Sequence, residues 1–311
     1  MEAEAAFLAI LFSSVTPEDL TQYGAAEFAD LACAAREWLE QREPYAPKIR
    51  IVPRALGVAA QPVWIVEMVD DDKPFLLESV LGELSDQGLE ARLVAYPIIA
   101  VKRDVTGRLI AWSNGPDDGG WNRESFIHIH VWSGDDDNRR PEIVTALART
   151  LSDVRCAVED WGAMREQAEG AIAMLSANSS PLPREEIAEA IEFLQWLIDE
   201  NFTFLGVRAY TLADGGDAYA PENETALGIL RSPDVQVLRR GHELVSITPE
   251  VKEFLNEPKA LIITKSNVRS RVHRRVHMDY IGIKRFDASG RLAGELRIVG
   301  LFTGSAYTFS P

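Results

Sequence analysis

Three places in the 311 residues carry side chains whose type and spacing could do chemistry. Asp70, Asp71 and Asp72 stand in a row between an apolar run and Pro74. Such a row could hold a cation or the amino group of an effector. More often such a row is a solvated helix entry, where the dipole favours acid. His128 and His130 lie two apart in an alternating stretch, so their imidazoles share one face with Cα atoms roughly 6.5–7 Å apart. A third ligand, for which Asp135–Asp137 is nearest, would complete a metal site. Phe126 and Trp132 on the same face favour packing under a helix or a subunit instead. Lys265, Arg269, Arg271, Arg274 and Arg275, with His273 and His277, concentrate positive charge in a chain of net charge −16. That run could meet acidic surface on another domain or subunit, a small anionic effector, or nucleic acid. No aromatic residue interleaves it before Tyr280, and single-strand binders need such platforms. Partner contact is therefore the favoured role. His273 and His277, four apart in an expected strand, would stand about 13 Å apart, too far to share a metal. Cys33 and Cys156 fall in apolar helical patterns and are expected as buried thiols of a reducing compartment.

The elements that position these residues follow from periodicity. Val63–Val69 alternates as a strand covered on both faces. Pro74 is expected at a first helical position, followed by Leu76, Leu77, Val80, Leu81 and Leu84 at helical spacing and by Gly88 as a stop. Leu89–Arg103 reads as one long strand and Arg108–Trp112 as its hairpin partner. Ser125–Trp132 alternates, with Ile127, Ile129 and Val131 on one face. Ahead of these, Ala5–Ser13 and Pro17–Gln41 read as helices, the second capped by Thr16. Ile49–Arg54 is a short strand expected to end at Pro53. A long helix from Pro141 carries Val144, Leu147, Leu151, Val154, Val158 and Trp161 as a heptad-like seam. Ala177–Pro183 is the clearest linker, and the domain boundary is expected there. Beyond it come a helix over Arg184–Asp199, a strand over Thr203–Thr211, a turn at Asp214–Asp217 and a short helix from Thr248 to Leu255. Strands over Leu261–Lys265, Val272–Phe286 and Leu292–Phe302 close the chain.

Composition bounds the rest. The length allows two cores of roughly 100–150 residues each. The acidic total repels nucleic acid and anionic membranes. No run of 18 apolar residues exists, and the N-terminal residues lack the basic charge of a secretory signal, so a cytoplasmic location is expected. No G-x-G-x-x-G follows a strand, so no dinucleotide-cradling turn is present.

The stretch Asp71-Asp72-Lys73-Pro74-Phe75-Leu76-Leu77, followed by Leu84, Gly88 and Leu89, resembles an ACT domain. Two departures accompany it. Phe75 stands where effector-binding ACT domains carry glycine, which gives a ligand close approach to the backbone. No strand directly follows the Pro141 helix, so Ile49–Pro53 is expected to fill the sheet. More widely, Asp71–Leu93, Glu124–Ile129, Phe193–Tyr210, Lys259–Arg285 and Gly300–Tyr307 are similar to the N-terminal region of the large bacterial NAD-dependent glutamate dehydrogenases. The resemblance runs from about Pro62 to the end.

It implies an α+β fold: an ACT-like βαβ sandwich domain (48–138) behind N-terminal helices (1–47), a long connecting helix and linker (139–182), then a helix with a PAS-type antiparallel-sheet domain (183–311). It implies a regulatory and assembly segment with no catalytic residue, no metal and no cofactor of its own. NAD would serve the parent enzyme. Expected partners are the remaining domains and other subunits of a homo-oligomer and an amino-acid or other small effector, without nucleic acid or membrane. Asp70, Asp71, Asp72, Lys265, Arg269, Arg271, Arg274 and Arg275 are the candidate contacts. The alternative is a self-standing sensing or interaction module with no linked enzyme.

Overall fold

The computed structural model describes residues 2–113, 120–132, 137–177, 180–213, 218–232, 235, 237, 245–246 and 257–304. The fold is α+β, with two antiparallel sheets. The chain divides into two compact units, Met1–Ser152 and Asp153–Pro311. The expected boundary segment, Ala177–Pro183, lies within the second. The expected features at Asp214–Asp217 and Thr248–Leu255 lie outside the described residues, as do most of Asn114–Gly120 and Asp135–Asp137.

The first unit opens with α1 (Glu2–Leu11), α2 (Pro17–Leu20) and α3 (Ala25–Leu39). Thr16 caps α2 through its Oγ1 to the Asp19 N–H, as its sequence signature predicts. The single helix expected over Pro17–Gln41 is broken, because Gly24 restarts it and Glu27 reaches back to the Gly24 N–H at 2.7 Å. β1 (Lys48–Leu56) pairs along its whole length with β2 (Gln61–Asp71). Pro53 therefore does not end β1. It is tolerated because β1 is the edge of the sheet, where a missing N–H breaks no ladder.

α4 (Leu76–Asp86) follows. Phe75, not Pro74, precedes its first residue, at φ 70°, ψ 3°. The long strand expected over Leu89–Arg103 is two strands, β3 (Ala91–Ala95) and β4 (Ile98–Arg103), separated at Tyr96-Pro97. Both pair with β6 (Asn122–Trp132), β3 beside His128–Val131 and β4 beside Asn122–Ser125. β5 (Leu109–Ser113) completes the sheet, whose order is β1-β2-β6-β4-β5 with β3 also on β6. β2 and β3 thus flank β6, a split β-α-β arrangement, and β1 fills the sheet from ahead of the unit as expected.

Alternation gives this sheet two buried faces. Val63, Ile65, Val69 and Phe126 join Phe7, Leu11, Leu31 and Ala35 of α1 and α3 in one core. The N-terminal helices are therefore a layer of this unit. Trp64, Val66 and Met68 oppose Val131, Ile129 and Ile127 on the other face, all buried. α5 (Arg140–Glu159) meets α4 through Thr150 Oγ1, which donates to Glu83 Oε2 at 3.0 Å. The buried line on α5 is Ile143, Leu147, Leu151 and Val154. Of the expected seam, Leu147, Leu151 and Val154 are buried, Val144 and Val158 are half-buried, and Trp161 is 47% exposed, because the helix breaks at Asp160. Asp160 there accepts the Gly228 N–H at 2.7 Å.

In the second unit, α6 (Trp161–Ser176) and α7 (Arg184–Trp196) precede β7 (Phe202–Leu212), β8 (Ala218–Pro221), β9 (Leu227–Gly228), β10 (Val245–Ser246), β11 (Leu261–Arg269), β12 (His277–Phe286) and β13 (Leu292–Phe302). The order is β10-β8-β7-β13-β12-β11, with β9 also on β7. One face, carrying Val207, Ala209, Ile281, Ile283, Leu296 and Ile298, packs with Met164, Ala168, Leu194 and Leu197. The strand expected from Val272 starts only at His277. Residues 270–276 form a tight connection in which the Ser270 N–H bonds the Val276 carbonyl and His273 takes φ 63°.

Candidate functional site

The acidic row lies at the end of β2 rather than in a loop. Asp70 and Asp71 are strand residues opposite Ser125 and Glu124. Arg42, 4% exposed, gathers them: its guanidinium bonds Asp70 (3.0 Å), Asp71 (2.8 Å) and Glu124 (2.8 Å). Arg103 holds Glu124 from the other side with two bonds of 2.8 and 2.7 Å. Burial pushes the Asp71 carboxyl up, but the Arg42 bond and charge outweigh it and hold the group below its ordinary value. Asp72 accepts from Ser125 Oγ at 2.8 Å and pairs with Arg123 at 3.3 Å. These carboxylates are engaged in an internal ion-pair knot that ties the segment after α3 to β2 and β6.

His128 and His130 are both buried and touch each other, Nε2 to Nε2 at 2.9 Å. His128 Nδ1 meets Glu67 Oε1 at 2.9 Å, and Glu67 Oε2 accepts from Arg50. Phe12 stands edge-on to His128 at 5.5 Å, and the Tyr23 ring lies 5.2 Å from His130. Packing under helices, one of the two expected roles, is what this face does. Burial first and His128 second drive the His130 imidazole down to about 2. Burial also raises Glu67, yet the His128 bond leads the effects that leave it lowered overall. Among the described residues no cluster of three or more His, Cys, Asp or Glu side chains is placed to hold a metal ion.

The basic run is not one strand. Lys265 and Arg269 lie on β11, the edge strand, while Arg271, Arg274 and Arg275 lie on the connection to β12. Lys265 pairs with Asp279 across the sheet at 2.6 Å, and Arg271 with Asp153 at 2.8 Å. Arg269 and Arg274 donate to the carbonyls of Arg275 and Phe302. Exposed charge on an edge strand also blocks unwanted pairing. Cys33 and Cys156 are half-buried rather than buried; burial pushes the Cys156 thiol up.

Sequence reasoning missed the most unusual polar cluster. The face of the second sheet opposite α6 and α7 carries Arg208, Tyr210, Tyr280, Lys284, Glu295 and Arg297, with Tyr219 of β8, all buried. Arg297 Nε bonds Glu295 Oε2 at 2.9 Å, and Tyr280 Oη donates to Glu295 Oε1 at 2.6 Å. The Arg297 guanidinium lies 3.9 Å from the Tyr210 ring centre and 5.2 Å from that of Tyr219. Gly282 makes room: a Cβ there would come within 2.1 Å of Glu295 Oε1. Burial lowers the Lys284 amine to about 8, and its Nζ donates to the Glu257 carbonyl at 2.7 Å. Arg208 donates to the Leu230 carbonyl. A separate cavity of about 210 Å³ lies on the α6 side, rimmed by Glu222 and Arg285, which pair with each other at 2.6 Å.

Comparison with known proteins gives this geometry a setting. Residues 7–147 match the family described as glutamate dehydrogenase, ACT1 domain. The chain is similar to the NAD-specific glutamate dehydrogenase of Halomonas elongata, at 32% identity over 98% of this chain. It is also similar to the NAD-specific glutamate dehydrogenase of Pseudomonas aeruginosa, at 29% identity over 96% of this chain. It spans about a fifth of the length of these relatives, 19% in each case.

Proposed function

From the ACT1 domain at residues 7–147 we propose that the chain is a non-catalytic N-terminal regulatory and assembly segment of an NAD-dependent glutamate dehydrogenase. The parent would convert L-glutamate, NAD and water to 2-oxoglutarate, ammonia and NADH, with NAD bound outside this segment. The observation that carries this is the asymmetry of the match: nearly all of this chain aligns, against a fifth of each relative. The lack of a glycine-rich dinucleotide turn in the sequence supports it. The order β8-β7-β13-β12-β11 supports a PAS-type second unit.

Exposed Arg269 and Arg274 would face acidic surface on other domains or subunits of a cytoplasmic homo-oligomer, and the acidic row would brace the first unit. Among the described residues no helix is long and apolar enough to cross a membrane. Effector binding here would bias the catalytic domain, and by linkage glutamate would change effector affinity in return.

The test is the gene itself. The reading frame is expected to continue past the Pro311 codon to about five times this length, through a glycine-rich dinucleotide turn. A native stop codon directly after Pro311 would leave a self-standing module and overturn the proposal.

A further inference from the structure

Among its described residues, the polar face of the second sheet carries more cationic than anionic side chains out of water. Arg208 is 7% exposed, and Lys284, Arg297 and Glu295 are each 2% exposed. Among the described residues of this face, three cationic side chains accompany one carboxylate, and Lys284 has the Glu257 carbonyl as a partner. Glu295 is already committed to Arg297 and Tyr280. Among the described residues Arg208 has no ion pair. A guanidinium does not deprotonate in a protein, so this charge persists.

Its surroundings leave it short of partners. Arg208 Nη2 reaches the Leu230 carbonyl, but Arg208 Nε is buried without a hydrogen-bond partner among the described residues. The residue directly across the β7–β13 ladder is a second arginine, Arg297. Like charges directly opposite destabilise a sheet. On the same face the Tyr219 hydroxyl is also buried and unpartnered, with its ring 5.2 Å from the Arg297 guanidinium. A buried charge lacking a counter-ion and a buried hydroxyl lacking an acceptor are both costly. A ligand with an acceptor at each position would satisfy both.

We infer that this face binds a small carboxylate ligand, with Arg208 as its charge partner and Tyr219 as a hydroxyl donor. The unpartnered Nε–H of Arg208 and the flanking tyrosine rings suit a planar carboxylate. A phosphate dianion would call for more donors than the two unpartnered atoms. The inference deepens the regulatory proposal and rests on it, by naming where an effector binds and what chemistry it brings.

The experiment is calorimetric and thermal-shift titration of the purified 311-residue chain with succinate, L-glutamate and inorganic phosphate. At least one of the two carboxylates is expected to bind and raise the melting temperature. Arg208→Met and Tyr219→Phe should each weaken that binding roughly 10–100-fold, the range for a lost charged hydrogen bond. Arg274→Ala, on the exposed connection, should bind like the parent. Binding of neither carboxylate, of phosphate alone, or with equal affinity in parent and both variants would overturn the inference. If Arg208→Met does not fold, Tyr219→Phe decides alone, and unchanged affinity there overturns it. Failure here leaves the reading-frame test untouched, so the two proposals fail separately.

Discussion

His130 shows how burial turns an ordinary side chain into a constraint. Its ring is fully buried, and its imidazole is lowered to about 2, against an ordinary value of 6.5. The fold therefore holds the neutral ring. The unfolded chain binds a proton below pH 6.5 that the folded chain refuses. This contribution to stability is complete above that pH and falls as the pH drops from 6.5 toward 2, by up to about 1.4 kcal/mol per pH unit. Urea midpoints for the parent and His130→Leu from pH 7.5 downward should show a shallower acid-side loss in the variant; parallel curves would mean that another group sets the slope. The shared face of His128 and His130 was legible from strand alternation alone. Their partners were not, since Glu67 and Arg50 arrive from β2 and β1 through a pairing that no local pattern specifies.

Elements are bound together by side chains that their own sequence neighbourhood does not announce. Arg42 lies 28 residues from Asp70 and 82 from Glu124 in the chain, yet bonds both. Gly107 locks the same region: its carbonyl accepts from the Arg42 N–H, and a Cβ at its φ of +84° would lie 1.7 Å from the Arg42 oxygen. Removing one partner of a buried ion pair strands the rest, at about 3–5 kcal/mol. Arg42→Met should lose stability of that order in chemical denaturation; a change within about 0.5 kcal/mol, as for an ordinary surface position, would show the knot to be dispensable. Local pattern located the long strands β2, β6, β7 and β13 and the helix α4, through alternation and leucine spacing, and missed the short β8 and β10. It misjudged ends, because ends depend on partners. Pro53 is accommodated by an edge, β3 and β4 share one neighbour across a proline break, and a left-handed His273 turns an expected strand into a connection.

For the whole molecule, the α+β class follows from the resemblance carried by the ACT-like stretch and the segments after it, and the two antiparallel sheets agree with that class. The polar face of the second sheet was not legible in the sequence. Arg208 and Tyr210, Tyr280 and Lys284, Glu295 and Arg297 each alternate with apolar residues at period two, a pattern that ordinarily marks a solvent face. Burial of that face is a tertiary fact. The only advance signal was opposed charge and tyrosine recurring in strands that later pair.

On the proposed function, this chain regulates and assembles but does not catalyse. The direct measurement is NADH formation by the purified 311-residue chain supplied with L-glutamate and NAD. A regulatory segment predicts a rate indistinguishable from the protein-free control, with thermal unfolding confirming that the chain is folded in the assay. Glutamate-dependent NADH formation that scales with chain concentration would contradict it.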